Sequence, residues 1–257
     1  MFKRATLDLM TIVFSLVCVL LILSGCVSRP KQQASPGELL VIGEEDMRSE
    51  RFEAARLAFK RLLEEYPDSK HRRSALLRLG DSYYHAEEYI ESKLQYAEYV
   101  RLYPVSAGTP KAYYFLAMSD YQRNLDIDQD ATVARDALEN FQTLVRRFPG
   151  SEHTADAKQK ILELREHLAQ NALFIANFYF RTNLRVSAIP RYKEIIRDFD
   201  DIPHVRAEAM FKLGESYRIE ESFKKAGESY GLLLESYPDD QYASPAYNRL
   251  LALTSKK

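Results

Sequence analysis

Gly80-Asp-Ser-Tyr83 precedes Tyr103-Pro104 by the same interval at which Gly214-Glu-Ser-Tyr217 precedes Tyr237-Pro238. Self-similarity within a chain, at a period of about 20 to 50 residues, is typical of proteins built from stacked structural repeats. Proline cannot continue a helix, because it lacks the backbone N–H and its ring clashes with the preceding turn. The pattern therefore predicts repeated helical units, each of which ends at a proline.

These positions match the consensus of the tetratricopeptide repeat (TPR), a helix-turn-helix unit of about 34 residues. The consensus fits the chain five times. Its eighth position, on the first helix, is small in every unit: Gly43, Gly80, Ala117, Ala176 and Gly214. Its twentieth position, on the second helix, is also small: Ala55, Ser92, Ala137, Ala188 and Ala226. Its twenty-fourth position is aromatic: Phe59, Tyr96, Phe141, Tyr192 and Tyr230. We therefore expect the two helices of each unit to pack closely.

The spacing of the units changes once, between Ala117 and Ala176, which lie 59 residues apart. Part of the excess is an acidic segment, Asn124-Leu-Asp-Ile-Asp-Gln-Asp-Ala131, between the two helices of unit three. The rest follows Pro149, where residues 154–181 contain neither glycine nor proline and keep apolar residues at helical spacing. This predicts one long helix whose second half is the first helix of unit four.

The predicted fold is thus all-α, a TPR solenoid of five helix-turn-helix units in two bodies joined by a long helix. Units one to three would occupy residues 37–153, and the long helix with units four and five would occupy residues 154–257. Pro190 falls in the second helix of unit four, where a proline is harmless only in the first turn. Ser187 is therefore predicted to cap that helix.

The amino terminus has the pattern of a secretory signal peptide. Lys3 and Arg4 precede an apolar run from Leu9 to Leu23, which is too short for a comfortable membrane span. Leu23-Ser24-Gly25-Cys26 resembles the bacterial lipobox, in which the signal is cut before the cysteine and the cysteine is acylated. We expect residues 1–25 to be a lipoprotein signal peptide and residues 26–36 a lipidated tether that begins at Cys26.

Two further features bear on this anchor. The lipobox resemblance implies outer membrane sorting, because Val27 stands where an aspartate would signal retention at the inner membrane. Cys18 leaves with the signal, so no thiol remains for a disulfide or a cysteine nucleophile. The alternative is an ordinary signal peptide, or a signal anchor, with an incidental cysteine.

Composition and motifs argue against several classes of function. The net charge of -1 offers no basic excess for nucleic acid. The sequence contains no motif of a known nucleophile, phosphate loop or zinc site, so we expect neither enzyme activity nor a cofactor. The run Asp126-Ile-Asp128-Gln-Asp130 has the alternating carboxylates of a calcium loop but lacks its glycine and its final glutamate. We therefore expect a solvated loop and no metal site.

A binding surface is expected on the concave side of the solenoid, which the first helices of TPR units line. The first three units place mostly apolar and aromatic residues there: Leu40, Glu44, Met47, Leu77, Asp81, Tyr84, Tyr114, Met118 and Gln122. Such a groove suits an extended or helical peptide with hydrophobic and some cationic character. The alternative for residues such as Leu77 and Tyr114 is that they only seal the solenoid core.

Several tracts that extend beyond the TPR consensus positions resemble one family. They are Ala112-Tyr-Tyr-Phe-Leu-Ala-Met118, the acidic segment of unit three, Ala134-Arg-Asp-Ala-Leu-Glu-Asn-Phe141, Leu144-Val-Arg-Arg-Phe-Pro-Gly-Ser151 and Ile189-Pro-Arg-Tyr-Lys-Glu-Ile-Ile-Arg-Asp198. Together with the lipobox and the long helix, they resemble the BamD (ComL-like) family, the TPR lipoproteins of the outer membrane β-barrel assembly machinery. The resemblance covers essentially the whole mature chain.

This resemblance implies a lipid-anchored scaffold subunit at the periplasmic face of the cell outer membrane. Its carboxy-terminal units would bind the periplasmic POTRA domains of BamA, and its amino-terminal groove would receive nascent outer membrane β-barrel proteins. Other lipoproteins of the complex would be further partners. Two other functions remain open, a TPR lipoprotein scaffold for pilus, secretin or cell-envelope assembly, and a periplasmic hydrolase.

Arg191 and Arg197 match positions where the family carries arginines near the BamA contact. Six residues of helix correspond to about 600° of rotation, so the two side chains project about 120° apart and are not expected to share one contact. Arg197 lies near the end of its helix, where a cation stabilises the helix dipole. Arg191 has no comparable structural role in the sequence, so we expect it to be the stronger BamA contact.

Overall fold

A computed structural model describes residues 33–123 and 131–254, and every regular element in those ranges is an α-helix. The helices are α1 (Pro36–Arg48), α2 (Phe52–Glu65), α3 (Arg72–His85), α4 (Tyr89–Leu102), α5 (Thr109–Gln122), α6 (Thr132–Arg147), α7 (Thr154–Arg181), α8 (Arg185–Asp198), α9 (Pro203–Ile219), α10 (Phe223–Ser236) and α11 (Ala243–Thr254). Consecutive helices pack against each other, as in a TPR solenoid. The predicted fold class is confirmed.

Small residues let the two helices of a unit approach closely. A methyl group on Gly43 would lie 2.3 Å from Cε1 of Phe59, and one on Gly214 would lie 2.4 Å from Cε1 of Tyr230. The aromatic residues at these contacts, like the small residues of the second helices, have no exposed surface. The repeat pattern therefore placed these helix-helix contacts correctly.

The helix over residues 154–181 is confirmed, with Thr154 and Arg181 as its ends. Ala157, Leu164 and Leu168, in its first half, belong to a hydrophobic cluster with Phe141 and Leu144 of α6. Ala169, Leu173 and Ala176, in its second half, belong to a separate cluster that continues through α8, α9, α10 and α11. One helix thus contributes to the cores of both halves of the chain.

Helix α8 begins earlier than the sequence suggested. Its first residue is Arg185 and its N-cap is Leu184, so the prediction that Ser187 caps the helix was wrong. Pro190 consequently lies inside the helix. The guanidinium of Arg191 donates a hydrogen bond of 2.7 Å to the backbone carbonyl of Ser187, in the turn that the proline disturbs. Burial of Ala188 and Tyr192 against the rest of unit four fixes the helix despite the proline.

Helix α11 was not foreseen, because it lies beyond the fifth unit. It packs against α10, and its Ala243 and Ala246 are buried in the carboxy-terminal cluster. The helix therefore covers one side of the fifth unit.

The short turns between the helices of a unit share one backbone feature. Glu50, Glu87, Asn183 and Glu221 each adopt a positive φ, between 56° and 63°. In the first turn, the N–H of Glu50 bonds to the carbonyl of Met47 and that of Arg51 to the carbonyl of Asp46. This is the pairing of a helix that ends with one residue in the left-handed conformation.

Two predicted features lie outside the described residues: the signal peptide with Cys26, and the acidic segment over residues 124–130. Within residues 33–123 and 131–254, no helix is both long enough and apolar enough to cross a membrane.

Candidate peptide groove and partner surface

The nine predicted groove residues come from α1, α3 and α5, and the structure places them at different depths. Leu40, Met47, Leu77, Tyr84 and Tyr114 are half-buried beside the hydrophobic clusters. Gln122 is exposed, and its amide lies 3.5 Å from the Tyr84 hydroxyl. Glu44 is half-buried and lies 3.5 Å from Arg78. Asp81 and Met118 are only 4% and 8% exposed.

The Asp81 carboxylate accepts its hydrogen bonds from other side chains of the protein. It accepts a hydrogen bond of 2.6 Å from the Tyr96 hydroxyl, one of 2.7 Å from Lys111 and one of 3.1 Å from Arg78. A buried carboxylate with three donors is satisfied and ties α3 to α4 and α5. We therefore assign Asp81 a structural role between units and leave it out of the ligand-facing surface.

The same arrangement recurs in other units, and sequence reasoning missed it. Glu215 accepts hydrogen bonds from Tyr230, Arg218 and Arg249, and so joins α9 to α10 and α11. In unit four, the Tyr192 hydroxyl donates a hydrogen bond of 2.7 Å to Asn177. The signal was present in the sequence, since the aromatic position holds tyrosine in these units and phenylalanine in units one and three.

Burial and charge set the protonation of these groups. Burial, followed by the charge of Asp81, raises the pKa of Tyr96 well above its ordinary value. Burial alone would raise the pKa of Glu215 as well, but hydrogen bonds from Arg218 and Tyr230 outweigh it and leave that pKa below 4.5. The tyrosines therefore remain protonated donors, and Glu215 remains charged at neutral pH.

The surface that remains is dominated by aromatic rings. We call Phe52, His85, Tyr84, Phe115, Tyr114 and His153 the aromatic row, because each ring contacts the next. The successive centroid distances are 5.9, 6.0, 4.8, 5.1 and 4.5 Å. None of the six residues is fully buried. The row runs from the start of α2, across the carboxy-terminal end of α3 and the middle of α5, to the start of α7.

Phe115 and His153 were not among the predicted groove residues. His153 stacks on Tyr114, with the rings 13° from parallel. The Tyr114 hydroxyl donates a hydrogen bond of 2.7 Å to Asp156, which fixes the orientation of the ring. Burial lowers the pKa of His153, so its ring is neutral at pH 7. The partly exposed rings of the row suit apolar and aromatic side chains.

The surroundings of Arg191 and Arg197, the two arginines of the predicted BamA contact, differ from the expectation. The guanidinium of Arg191 lies 3.9 Å from the centre of the Tyr179 ring, in addition to its bond to Ser187. The expectation that Arg191 has no structural role was therefore wrong. The side chain of Arg197 is 71% exposed and pairs with the adjacent Asp198 in the last turn of α8. Arg197 is the more accessible of the two.

Metal binding has no visible site in the described ranges. Among residues 33–123 and 131–254, no three His, Cys, Asp or Glu side chains are grouped so that they could hold a metal ion. The polar clusters around Asp81 and Glu215 are satisfied by tyrosines and cations. What the arrangement offers is binding surface.

Comparisons with known proteins agree with this architecture. The sequence model of a family described as outer membrane lipoprotein matches residues 32–219, and that of a tetratricopeptide repeat matches residues 208–240. The outer membrane protein assembly factor BamD of Caulobacter vibrioides is 26% identical over 192 residues, which cover 75% of this chain and 63% of the Caulobacter protein. BamD of Rickettsia prowazekii is 24% identical over 236 residues, which cover 91% of this chain and 94% of the Rickettsia protein.

Among solved structures, a TPR repeats protein from Bacteroides fragilis is similar, with a TM-score of 0.48 and 10% identity. It covers 87% of this chain and 99% of its own. The match to the family model extends over most of the chain, from the residues before α1 to the end of α9. The chain therefore belongs to the outer membrane lipoprotein family, a family of TPR proteins that includes the outer membrane protein assembly factors called BamD.

Proposed function

We propose that this protein is a lipid-anchored scaffold subunit of the outer membrane β-barrel assembly machinery. Acylation of Cys26 holds it at the periplasmic face of the membrane. The amino-terminal units receive unfolded β-barrel proteins, and the carboxy-terminal units bind the periplasmic domains of BamA. Other lipoproteins of the complex are further partners.

The observation that carries this proposal is the aromatic row, on a chain of the outer membrane lipoprotein family. The rings span units one to three, and each of the six residues is at least partly exposed. Tyrosine and phenylalanine supply large contact areas at little cost in conformational entropy, because each side chain has only two rotatable bonds. An unfolded barrel protein offers strands in which apolar side chains alternate with polar ones and aromatic residues lie near the strand ends, and such a surface binds them in extended form.

The proposal assigns no chemistry to the chain. Acid/base catalysis needs carboxyl groups whose environments separate their pKa values in an accessible cleft. The buried carboxylates are instead engaged by groups of neighbouring helices: Asp81 and Glu215 by tyrosine hydroxyls and cations, and Asp120 by Lys93. Their position suits a scaffold, since they hold successive units together.

Affinity purification distinguishes this function from a role in pilus or secretin assembly. The tagged full-length protein is extracted in mild detergent, and its partners are identified. We expect co-purification of a large β-barrel protein with periplasmic domains. Recovery of secretin or pilus components in its place would contradict the proposal.

The anchor is tested separately with Cys26→Ala. Loss of the acylated cysteine should leave an uncleaved or soluble product, because stable attachment depends on the acyl chains. Membrane fractionation and the mass of the amino-terminal peptide report the result. Mature Cys26→Ala protein that still fractionated with the outer membrane would show that the anchor lies elsewhere.

A further inference from the structure

The seventh position of the TPR consensus shows what normally covers the first helix of a unit. In units two, three and five this position holds Leu79, Leu116 and Leu213, which are 3–7% exposed. Each lies in a cluster with residues of the second helix of the preceding unit: Phe59 and Leu62 of α2, Tyr96 and Tyr99 of α4, and Tyr192 and Ile195 of α8. A helix therefore covers this position in all three units.

In unit four the same position is uncovered. Ile175 is 41% exposed, and its neighbours Phe174 and Phe178 are 42% and 50% exposed. We call these three residues the α7 face. Ile42, at the equivalent position of unit one, is also exposed, at 46%, as expected where the described repeats begin. Unit four thus presents, in the interior of the solenoid, the kind of surface otherwise found at its first unit.

The length of α7 explains the exposure. The first half of the helix occupies the position beside α6, where Leu164 and Leu168 pack with Phe141 and Leu144. The second half, which carries the α7 face, contributes its buried residues to the cluster of the helices that follow it. In a regular repeat, α6 would cover Ile175. Here α6 packs against the first half of α7 instead, so Ile175 stays exposed.

The surroundings of the α7 face indicate the charge of its partner. Ile175 lies at a cavity of about 390 Å³ that Arg135 of α6 and Arg191 of α8 also line. Arg181 follows Phe178 by three residues, so it lies on the same side of α7. The carboxylates at the cavity are Glu194 and Asp198, and Asp198 is engaged by Arg197. The two arginines and two carboxylates of the cavity balance, and Arg181 and Arg197 beside it make the net charge of the surroundings positive.

We propose that the α7 face docks an amphipathic α-helix of a partner protein, with apolar residues on one stripe and carboxylates beside it. This helix takes the place that the second helix of a preceding unit has in units two, three and five. Phe174, Ile175 and Phe178 follow the spacing at which helical side chains form a continuous ridge for another helix. The inference rests on the packing of α7 and does not depend on which protein the carboxy-terminal units bind.

Two peptide probes of identical composition test the proposal on the full-length protein in detergent micelles. One is a stapled helix with leucines on a single stripe and glutamates beside it, and the other has the same residues distributed around the helix. Fluorescence anisotropy measures both affinities, and empty micelles correct for partition into detergent. We expect the first peptide to bind at least tenfold more tightly than the second.

Variants locate the site. Phe178→Asp, which replaces a half-exposed side chain, should weaken binding of the striped peptide at least tenfold, as should Ile175→Asp. Leu94→Asp, at an apolar residue of α4 that is 61% exposed, is the matched control and should change the affinity less than twofold. Far-UV circular dichroism and thermal unfolding establish that each variant is folded.

Three results would overturn the proposal. The first is equal binding of the two peptides. The second is unchanged binding by a folded Phe178→Asp variant. The third is self-association through this face, seen as a wild-type dimer in sedimentation that Phe178→Asp dissolves while neither peptide binds. That result would make a second copy of this chain the occupant.

Discussion

Contacts between a single small residue and a single ring determine how closely the helices of each unit approach. In units one, two and five a glycine faces the aromatic ring, whereas in units three and four an alanine occupies the same position opposite Phe141 and Tyr192. Those two rings are as deeply buried as the others. The units therefore differ by about one methyl group in the room they leave at the contact.

The space around each glycine predicts opposite effects of a glycine-to-alanine substitution at two positions. Gly214→Ala brings a methyl group within 2.4 Å of Tyr230 and should lower the free energy of unfolding by ~1–3 kcal/mol, as overpacking does. Gly231→Ala, in the interior of α10, meets nothing within 4 Å and should raise it by ~0.5–1 kcal/mol. Urea denaturation of both variants measures the changes. A loss of stability in both would show that an added methyl group destabilises α9 and α10 whatever its contacts.

The Glu215 carboxylate predicts a dependence of stability on acid. Its pKa in the folded protein is held below 4.5 by Arg218 and Tyr230, so the folded state favours the charged form. Its contribution to stability is therefore complete above pH 4.5 and is lost as the pH falls through the lower, folded pKa. We expect Glu215→Gln to be less stable than wild type at pH 7, and the difference to shrink as the pH is lowered below 4.5.

Urea midpoints at pH 7, 4 and 3 provide the measurement. Glu194→Gln is a suitable control, because the side chain of Glu194 lies on the exposed surface. A difference between wild type and Glu215→Gln that stayed constant from pH 7 to pH 3 would contradict a role for the charged carboxylate.

At the scale of elements, the turns inside the units carry a cost that the sequence could avoid. Glu50, Glu87 and Glu221 adopt a left-handed conformation that costs a residue with a Cβ roughly 1–2 kcal/mol. Glycine adopts this conformation freely and is the usual residue at such helix ends.

Replacement of one of these glutamates should therefore stabilise the protein. We expect Glu87→Gly to raise the free energy of unfolding by about 0.5–1 kcal/mol, because glycine relieves the strain but adds entropy to the unfolded chain. Asn183→Gly is the matched control, with a smaller gain, since asparagine tolerates positive φ better than glutamate. Thermal unfolding measures both. A loss of stability in Glu87→Gly would mean that the glutamate side chain contributes more than its backbone costs.

The sequence predicted the helix pairs because their contacts repeat. Small residues opposite rings leave a periodic signal, and the uninterrupted span over residues 154–181 marked α7. It did not predict α11. This helix packs on α10 outside the five units, so its contacts leave no periodic signal in the sequence. It also misplaced the start of α8, because burial of Ala188 and Tyr192 outweighs the preference of Pro190 for a first turn.

The candidate site was predictable only in part, for a related reason. The repeat gives the direction in which a groove residue points but not how closely the next unit approaches it. Tyr84 and Tyr114 lie on the aromatic row, whereas Asp81 is enclosed by Tyr96 and Lys111. Phe115 belongs to the row because its ring contacts Tyr84 of α3, a contact that the spacing of residues along the chain does not predict.

At the scale of the whole molecule, α7 contributes to two separate hydrophobic clusters. The aromatic row ends at the start of this helix, and Arg197 lies on α8, beyond its end. Because each surface rests on a different core, a change at one should leave the other intact. This is the physical basis for the predicted division of the chain into two bodies.

The division predicts separable losses of binding. Arg197→Glu reverses an exposed charge whose pair with Asp198 contributes little to stability, and loss of the cation at the helix end costs about 0.3–1 kcal/mol, so the variant should stay folded with a slightly lower melting temperature. Under the proposed function, it should weaken binding of a BamA periplasmic fragment about tenfold, equivalent to ~1.4 kcal/mol. Binding of a β-barrel carboxy-terminal peptide should be unchanged. Tyr84→Ala should show the reverse, with peptide binding lost and BamA binding retained.

Arg191→Gln is the comparison that separates binding from folding. It removes the contacts with Tyr179 and Ser187, so we expect a lower melting temperature, and any loss of BamA binding should follow that loss of structure. Calorimetric titrations at a temperature where all three variants are folded give the affinities. Equal loss of both ligands in Arg197→Glu, or in Tyr84→Ala, would mean that the two surfaces form one coupled unit, because α7 would then transmit a change in one core to the other.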